Sequence, residues 1–168
     1  MKKILRVFLS LIISITSFSA PVFAETSEKQ YGCSMSQYPV PEEGEAILLD
    51  DYSFEDYASR GAAIRTNVNR TYSVRIQDTS GSCVSSAQVR VSGYFTYDST
   101  SGNIIETSIS AAFTSVPTLW TAVIQSQRTL VSGGSVSQSI YYYSKVNDPY
   151  SCMVGGGNWY SGATFTLK

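Results

Sequence analysis

The chain of 168 residues contains no histidine, and this absence excludes several kinds of chemistry. Without an imidazole there is no Ser-His-Asp or Cys-His nucleophile, no histidine-ligated zinc and no histidine pH switch. The three cysteines, Cys33, Cys83 and Cys152, are too few and too widely spaced for a four-cysteine metal site. We therefore expect no metal ion and no other cofactor.

Charged residues are also scarce, at 15% of the chain, and they are unevenly distributed. Nine acidic residues and one basic residue lie between Glu25 and Asp56, whereas four acidic and eight basic residues follow from Tyr57 onward. So small a basic excess does not predict nucleic-acid binding. The acidic part is typical of a solvated leader. The alternative is that it folds back on the basic part, as a propeptide or a mask would.

Residues 1–24 have the three parts of a secretory signal peptide of bacterial type. A basic start is followed by a mostly apolar stretch, and the segment ends in small residues that include Ala24. The apolar stretch is interrupted by Ser and Thr and falls short of the roughly 20 apolar residues that a spanning helix needs. We therefore expect a secreted, extracellular protein that is not embedded in a membrane after cleavage.

Export makes disulfides possible, and three cysteines allow one bridge with one thiol left over. Cys83 and Cys152 both lie inside the predicted domain, at strand edges, so we expect this pair to form the disulfide. Bridges from Cys33 to either partner are the alternatives. Spacing alone does not decide between them.

The mature chain divides into a flexible acidic leader at 25–44 and a domain at 45–168. Residues 25–44 contain scattered prolines, glycines and acids without periodicity, as expected of a tether. From Thr71 onward, apolar and polar residues alternate with period two. Turns rich in Gly, Ser, Asn and Asp separate the alternating runs. Ser53 to Gly61 is predicted as a short helix or turn.

Alternation of this kind indicates antiparallel sheets with one buried face each. We therefore predict an all-β antiparallel β-sandwich, immunoglobulin-like or jelly-roll-like, with about six or seven strands. A small closed barrel is the alternative. Gly93, in the middle of a long strand, predicts a bulge or a close approach of another backbone. Gly133-Gly134 predicts a two-residue hairpin.

Tyrosine is abundant, with 12 in the chain, and it is densest at Tyr141-Tyr142-Tyr143 and at Trp159-Tyr160. Successive side chains of a strand face opposite ways, so Tyr142 is expected to point inward and Tyr141 and Tyr143 outward. Exposed aromatic rings beside hydroxyl groups can stack on sugars or anchor a protein partner. The predicted ligand-binding residues are therefore Tyr141, Tyr143, Trp159 and Tyr160. The plainer interpretation is that tyrosine simply suits half-buried strands.

Paired carboxylates are the remaining route to catalysis, because glycosidases need only two acids. The domain offers few of them, and Asp78, Asp98 and Asp148 fall in predicted turns while Glu106 lies on a strand. We therefore expect a non-enzymatic extracellular binding module for a cell-surface glycan or, second, a protein. The alternatives are a secreted effector of bacteriocin-like type with a removable acidic leader, and a two-carboxylate hydrolase.

These expectations predict the mass of the secreted protein. Cleavage after Ala24 gives a chain that begins at Glu25, and one disulfide makes it lighter than the reduced chain by two hydrogen atoms. Intact-mass spectrometry with and without reduction, followed by peptide mapping of Cys83 and Cys152, checks both points. A secreted species that retains residues 1–24, or one whose mass is unchanged by reduction, would contradict them.

Overall fold

The computed structural model describes residues 36–57, 63–147 and 157–168, and the regular structure of these ranges is β-strand. The eight strands are β1 (Ala46–Asp51), β2 (Phe54–Tyr57), β3 (Ala63–Gln77), β4 (Val84–Asp98), β5 (Ile104–Ser115), β6 (Trp120–Ser132), β7 (Ser135–Val146) and β8 (Trp159–Thr166).

The strands form two antiparallel sheets, which confirms the predicted β-sandwich. Sheet A has the order β1–β3–β4–β5, with β2 also paired to β3, and sheet B has the order β6–β7–β8. β1 and β2 occupy successive stretches of the same edge of β3, because Asp51 lies opposite Arg70 and Phe54 opposite Asn67. Except for β1 with β3, each paired set of strands is consecutive in the sequence.

The core fills the space between the inner faces of the two sheets. Its buried residues alternate along β3, β4 and β7 with polar neighbours, as the period of two requires. Aromatic rings cross the interface, with the Tyr72 and Phe165 centroids 4.6 Å apart and those of Phe113 and Tyr142 5.6 Å apart. Pairs of this kind favour the tilted and edge-on arrangements seen here.

Polar side chains of β7 also reach across to the backbone of β3. The pairing of β1 with β3 ends at Val74, so the next residues of β3 have no strand partner on that side. The Tyr142 hydroxyl donates to the Arg75 carbonyl at 2.6 Å. The Ser144 hydroxyl donates to the Gln77 carbonyl at 2.9 Å and accepts from the Gln77 N–H at 3.1 Å. These bonds satisfy backbone groups that burial would otherwise penalise.

Arg70, in the middle of β3, ties sheet A to sheet B. Its Nε lies 2.8 Å from the Asp51 carboxylate, and its Nη1 donates to the carbonyls of Thr166 and Leu167. Burial raises the pKa of Asp51, but hydrogen bonds from Ser53 and the charge of Arg70 outweigh it, so the net pKa lies below the usual value. The carboxylate is therefore charged when it holds Arg70 in place.

Gly93 confirms the predicted close approach of another backbone. Its φ is +140°, and an ideal Cβ there would lie 2.0 Å from the carbonyl oxygen of Ser108 on β5. The two irregularities of this strand pair lie elsewhere, between Gln88 and Val89 and between Thr96 and Tyr97. At the second one, Thr96 is opposite Glu106 and Tyr97 is opposite Ile104, and the extra residue, Ile105, is 62% exposed. Ile105 is therefore exposed, although the period-two spacing of the sequence groups it with Thr107 and Ile109.

Three further expectations are corrected. The short helix or turn predicted from Ser53 is the strand β2 over its described part, because residues 54–57 pair with β3. The first long strand begins at Ala63 rather than at Thr71. The strands number eight rather than six or seven in the described ranges. The Gly133-Gly134 hairpin between β6 and β7 is confirmed.

The described part of the predicted tether contacts the outer side of sheet A. The Ser73 hydroxyl donates to the Pro39 carbonyl at 2.6 Å, and the Ser86 hydroxyl donates to the Tyr38 carbonyl at 3.1 Å. Ser36 shares a short hydrogen bond with Ser86. Ser73 and Ser86 are consequently buried although they lie on the outer side of their strands.

Cys83 is buried at the start of β4 and is not a free thiol. The Cys83 N–H donates to the Asp78 carboxylate at 3.1 Å, and the Asp78 N–H donates to the Cys83 carbonyl at 3.0 Å. Cys33, Cys152 and the signal segment 1–24 lie outside the described residues. The partner of Cys83 therefore stays a prediction.

Across the described ranges, the structure contains no helix of the length and apolarity needed to cross a membrane.

The close approach at Gly93 predicts a large loss of stability on substitution. Gly93→Ala places a methyl group against the Ser108 carbonyl, and we expect the free energy of unfolding to fall by about 3 kcal/mol or more. Gly102→Ala is the matched control, since Gly102 also has a positive φ, +73°, but nothing lies within 4 Å of its ideal Cβ. Its expected cost is about 1 kcal/mol. Equal costs in urea unfolding would contradict this account.

Candidate functional site

The tyrosine-rich stretch of β7 alternates as predicted. Tyr142 is 1% exposed and belongs to the core, whereas Tyr141 is 48% exposed and Tyr143 is half-buried on the opposite side. The alternation follows from the strand period, which sends neighbouring side chains to opposite faces of the sheet. β7 therefore presents two tyrosines on the outer face of sheet B.

β8 adds a third tyrosine to this outer face. Tyr160 lies opposite Tyr143 in the register and is 49% exposed. Its ring stacks on that of Tyr141, with centroids 5.9 Å apart and planes 14° apart, and it tilts against Tyr143 at 6.0 Å. We call these three residues the tyrosine face. Mutual contact restricts their rotamers, so the face is preorganised.

Small and polar residues border the tyrosine face. Gly162 lies opposite Tyr141 and brings no side chain to that flank. The hydroxyls of Ser139 and Thr164 lie 2.9 Å apart, and the Asn158 amide donates to the Tyr160 hydroxyl at 3.4 Å. The border thus supplies hydrogen-bonding groups beside exposed aromatic carbon.

Trp159 does not join the other predicted site residues. It precedes Tyr160 in β8 and therefore faces the other side of sheet B, where its ring meets that of Tyr142 edge-on at 6.4 Å. It is half-buried and packs against the core. The structure brings Tyr141, Tyr143 and Tyr160 together and places Trp159 beneath them.

The carboxylates considered for catalysis are engaged in local bonds. Glu106 accepts from the Tyr94 hydroxyl at 2.7 Å and lies 3.5 Å from Arg65. Asp98 accepts from the backbone N–H groups of Thr100 and Ser101, and these bonds lower its pKa. Asp148 lies outside the described residues. Over the described ranges, no group of three or more His, Cys, Asp or Glu residues is arranged to hold a metal ion.

Sequence reasoning missed a second group of exposed aromatic residues, on the outer side of sheet A. Tyr52 is 68% exposed and Phe54 is 58% exposed. Tyr94 lies near them on β4, opposite Asn67. The period-two spacing of Tyr52 and Phe54 was visible in the sequence, but a short helix or turn was predicted from Ser53 onward. The asparagines Asn67 and Asn69 show the same spacing on β3.

A cleft lies where the described part of the tether crosses sheet A. It is lined by Gln37, Tyr38, Ser86 and residues 115–118. None of these side chains is charged, and the tether itself forms one wall. We therefore attribute the cleft to the packing of the tether against the sheet.

Comparisons with models of protein families, with curated proteins and with solved structures found no match for this chain.

The buried tyrosine beneath the face predicts how stability depends on pH. Burial raises the pKa of the Tyr142 hydroxyl to about 12, against a usual value of 10.0. Only the neutral form fits the core, so its contribution to stability is complete below pH 10 and is lost as the pH rises from 10 towards 12. We expect the free energy of unfolding to fall across this window by up to about 3 kcal/mol from this group.

Tyr142→Phe isolates that contribution. At pH 7 it leaves the Arg75 carbonyl without its donor, and we expect a loss of about 1–3 kcal/mol. The difference between the wild type and this variant should shrink above pH 10, as measured by chemical denaturation at pH 7, 9, 10.5 and 11.5. Tyr141→Phe, on the exposed side, should match the wild type at every pH. A constant difference between wild type and Tyr142→Phe would refute the assignment.

Proposed function

We propose that this chain is a non-enzymatic extracellular binding module whose tyrosine face engages a glycan at the cell surface. The observation that carries the proposal is the row formed by Tyr141, Tyr160 and Tyr143, whose rings touch and whose outer parts are open to solvent. The extracellular location comes from the signal peptide predicted at residues 1–24.

The chemistry of the face suits a sugar. Aromatic rings offer apolar surface with a polar hydroxyl at the tip, and so match a ligand that carries both C–H groups and hydroxyls. The hydroxyls of Ser139 and Thr164 and the amide of Asn158 border the rings and can both donate and accept. An open sheet face can also accommodate a long polymer without a change in the protein backbone.

A protein partner is the second candidate, and one residue favours it. Val123 lies opposite Tyr143 on β6, is 37% exposed and extends the face with purely aliphatic surface. Tyrosine flanked by aliphatic side chains is typical of the centre of a protein interface. Val123→Ser should then weaken binding as much as Tyr160→Ala, whereas a glycan would respond mainly to the tyrosine.

The proposal predicts the behaviour of a double variant on a glycan array printed with bacterial and host polysaccharides. Tyr141→Ala/Tyr160→Ala removes the stacked pair, and we expect its affinity for at least one of the bound glycans to fall at least about tenfold, equivalent to about 1.4 kcal/mol. Leu130→Ala is the matched control, because Leu130 is exposed on β6 away from the tyrosines. Its affinity should equal that of the wild type.

Two outcomes would overturn the proposal. One is the absence of wild-type binding to every glycan on the array, and the other is equal binding by the wild type and the double variant. Circular dichroism and thermal unfolding of each variant establish that the altered residues leave the sandwich folded.

A further inference from the structure

A second surface of the molecule, on the outer face of sheet A, carries residues that the tyrosine face does not use. The strand register places these residues in cross-strand rows. The rows are Tyr52 with Asn69, Ser92 and Ser110; Phe54 with Asn67, Tyr94 and Ser108; and Asp56 with Arg65, Thr96 and Glu106. We call these three rows the aromatic–amide face.

Only one half of this side of sheet A is open. The other half lies around Ser73 and Ser86, where residues 36–41 cross the strands and the serine hydroxyls bond to the backbone of that segment. The exposed half begins at Asn69, whose side chain is open to solvent. The aromatic–amide face is therefore a bounded area rather than the whole sheet.

The apolar part of this face lies along its edge. Tyr52 and Phe54 are among the most exposed large apolar side chains of the described chain, at 68% and 58%. Tyr52 lies between β1 and β2, and its N–H donates to the Asn69 carbonyl, next to the pairing of Phe54 with Asn67. Two such rings side by side present apolar surface next to the amides of Asn67 and Asn69.

The polar part of the face is held in place by its own contacts. The Arg65 guanidinium lies 4.0 Å from the centre of the Tyr94 ring, and the Tyr94 hydroxyl donates to Glu106. The hydrogen bond to the Glu106 carboxylate, the largest influence, raises the pKa of Tyr94, and the charge of Arg65 opposes it. The Asn67 amide donates to Asp56 at 2.9 Å. These side chains need little reordering to bind a ligand.

The face carries one positive side chain, Arg65, and two negative ones, Asp56 and Glu106, so its net charge is −1. Arg65 is paired with Glu106 at 3.5 Å, and the Asp56 carboxylate receives the Asn67 amide. The remaining groups are neutral amides, hydroxyls and rings. An anionic ligand would meet two carboxylates against one guanidinium, and a cationic ligand would meet Arg65 beside them, whereas an uncharged ligand rich in hydroxyls meets donors and acceptors throughout.

The size of the face favours an extended ligand. Strands lie about 4.8 Å apart and alternate residues about 6.6 Å apart along a strand, so three rows across four strands measure about 14 by 13 Å. The face has no walls to enclose a single small molecule, as small-ligand pockets do. It fits a short stretch of a longer chain.

From these observations we propose that the aromatic–amide face binds an uncharged oligosaccharide chain, at a site separate from the tyrosine face. The exposed rings of Tyr52 and Phe54 stack on sugar rings, and the amides of Asn67 and Asn69 bond to their hydroxyls. Arg65, fixed by Tyr94 and Glu106, supplies further N–H donors at the far side of the site.

Titration of ¹⁵N-labelled protein, residues 25–168, locates the site. The probes are cellohexaose, chitohexaose and mannohexaose, with the hexamer of galacturonic acid as the acidic comparison. We expect at least one neutral hexasaccharide to shift the amide signals of Asn67, Asn69, Ser92 and Tyr94, and the acidic hexamer to leave them in place. The proposal is overturned if no neutral hexasaccharide shifts these signals, or if the acidic hexamer shifts them at lower concentration.

Variants separate this site from the tyrosine face. Tyr52→Ala/Phe54→Ala should lower the affinity for the neutral hexasaccharide at least tenfold. Tyr141→Ala/Tyr160→Ala should leave that affinity unchanged. Ile105→Ala is the matched control, being an exposed apolar residue of sheet A outside the three rows. A loss of binding with Tyr141→Ala/Tyr160→Ala alone would place the sugar on the other sheet and refute this inference. If the tyrosine face binds no glycan on the array, the neutral hexasaccharide should still shift the amide signals of Asn67 and Asn69.

Discussion

The sandwich depends on the side chains of β7 that complete the hydrogen bonding of β3. β1 stops pairing at Val74, and the backbone groups of Arg75 and Gln77 would otherwise be left without partners next to a dry core. Tyr142 and Ser144 supply those partners from the other sheet. The same bonds fix the rotation of β7. Because Tyr142 is held inward, its neighbours Tyr141 and Tyr143 are held outward, so the interaction that joins the sheets also sets the outer surface of sheet B.

The two outer faces differ because the strands beneath them differ in composition. Sheet B has tyrosines on both β7 and β8, and their rings pack against one another. In sheet A, Arg65 and Asn67 on the outer side of β3 bond instead to carboxylates of β5 and β2. One face therefore offers phenol rings, and the other offers amides beside charged side chains. Neither depends on a buried catalytic group.

Most of the fold followed from alternation and turn chemistry, and the errors occurred where those signals are weak. Residues 63–70 carry polar side chains on both faces, because Arg70 and Thr66 lie on the inner side, so the start of β3 had no alternation to reveal it. Ile105 followed the apolar period, yet a bulge, which depends on the partner strand, turned it outward. At the site, the outward positions of Tyr141 and Tyr143 were predictable within one strand. The inward position of Trp159 was also available from periodicity, because Trp159 shares alternate positions of β8 with the buried Ala163 and Phe165, while Tyr160 lies on the opposite face. The rows of the aromatic–amide face require the register of four strands.

The two proposed faces lie on opposite sides of the sandwich, with both sheets and the core between them. A single short oligosaccharide therefore does not reach both faces. Linking two sites raises affinity only when one ligand can occupy them together, and that gain is absent here for short chains. Two separate polymer chains can occupy the two faces at once, with the sandwich between them. The Tyr142 and Arg70 contacts would share any force between the two polymers with the packed core and with the connection from β5 to β6. Taken together, the two proposed faces suit bridging between glycan chains better than tight capture of one chain.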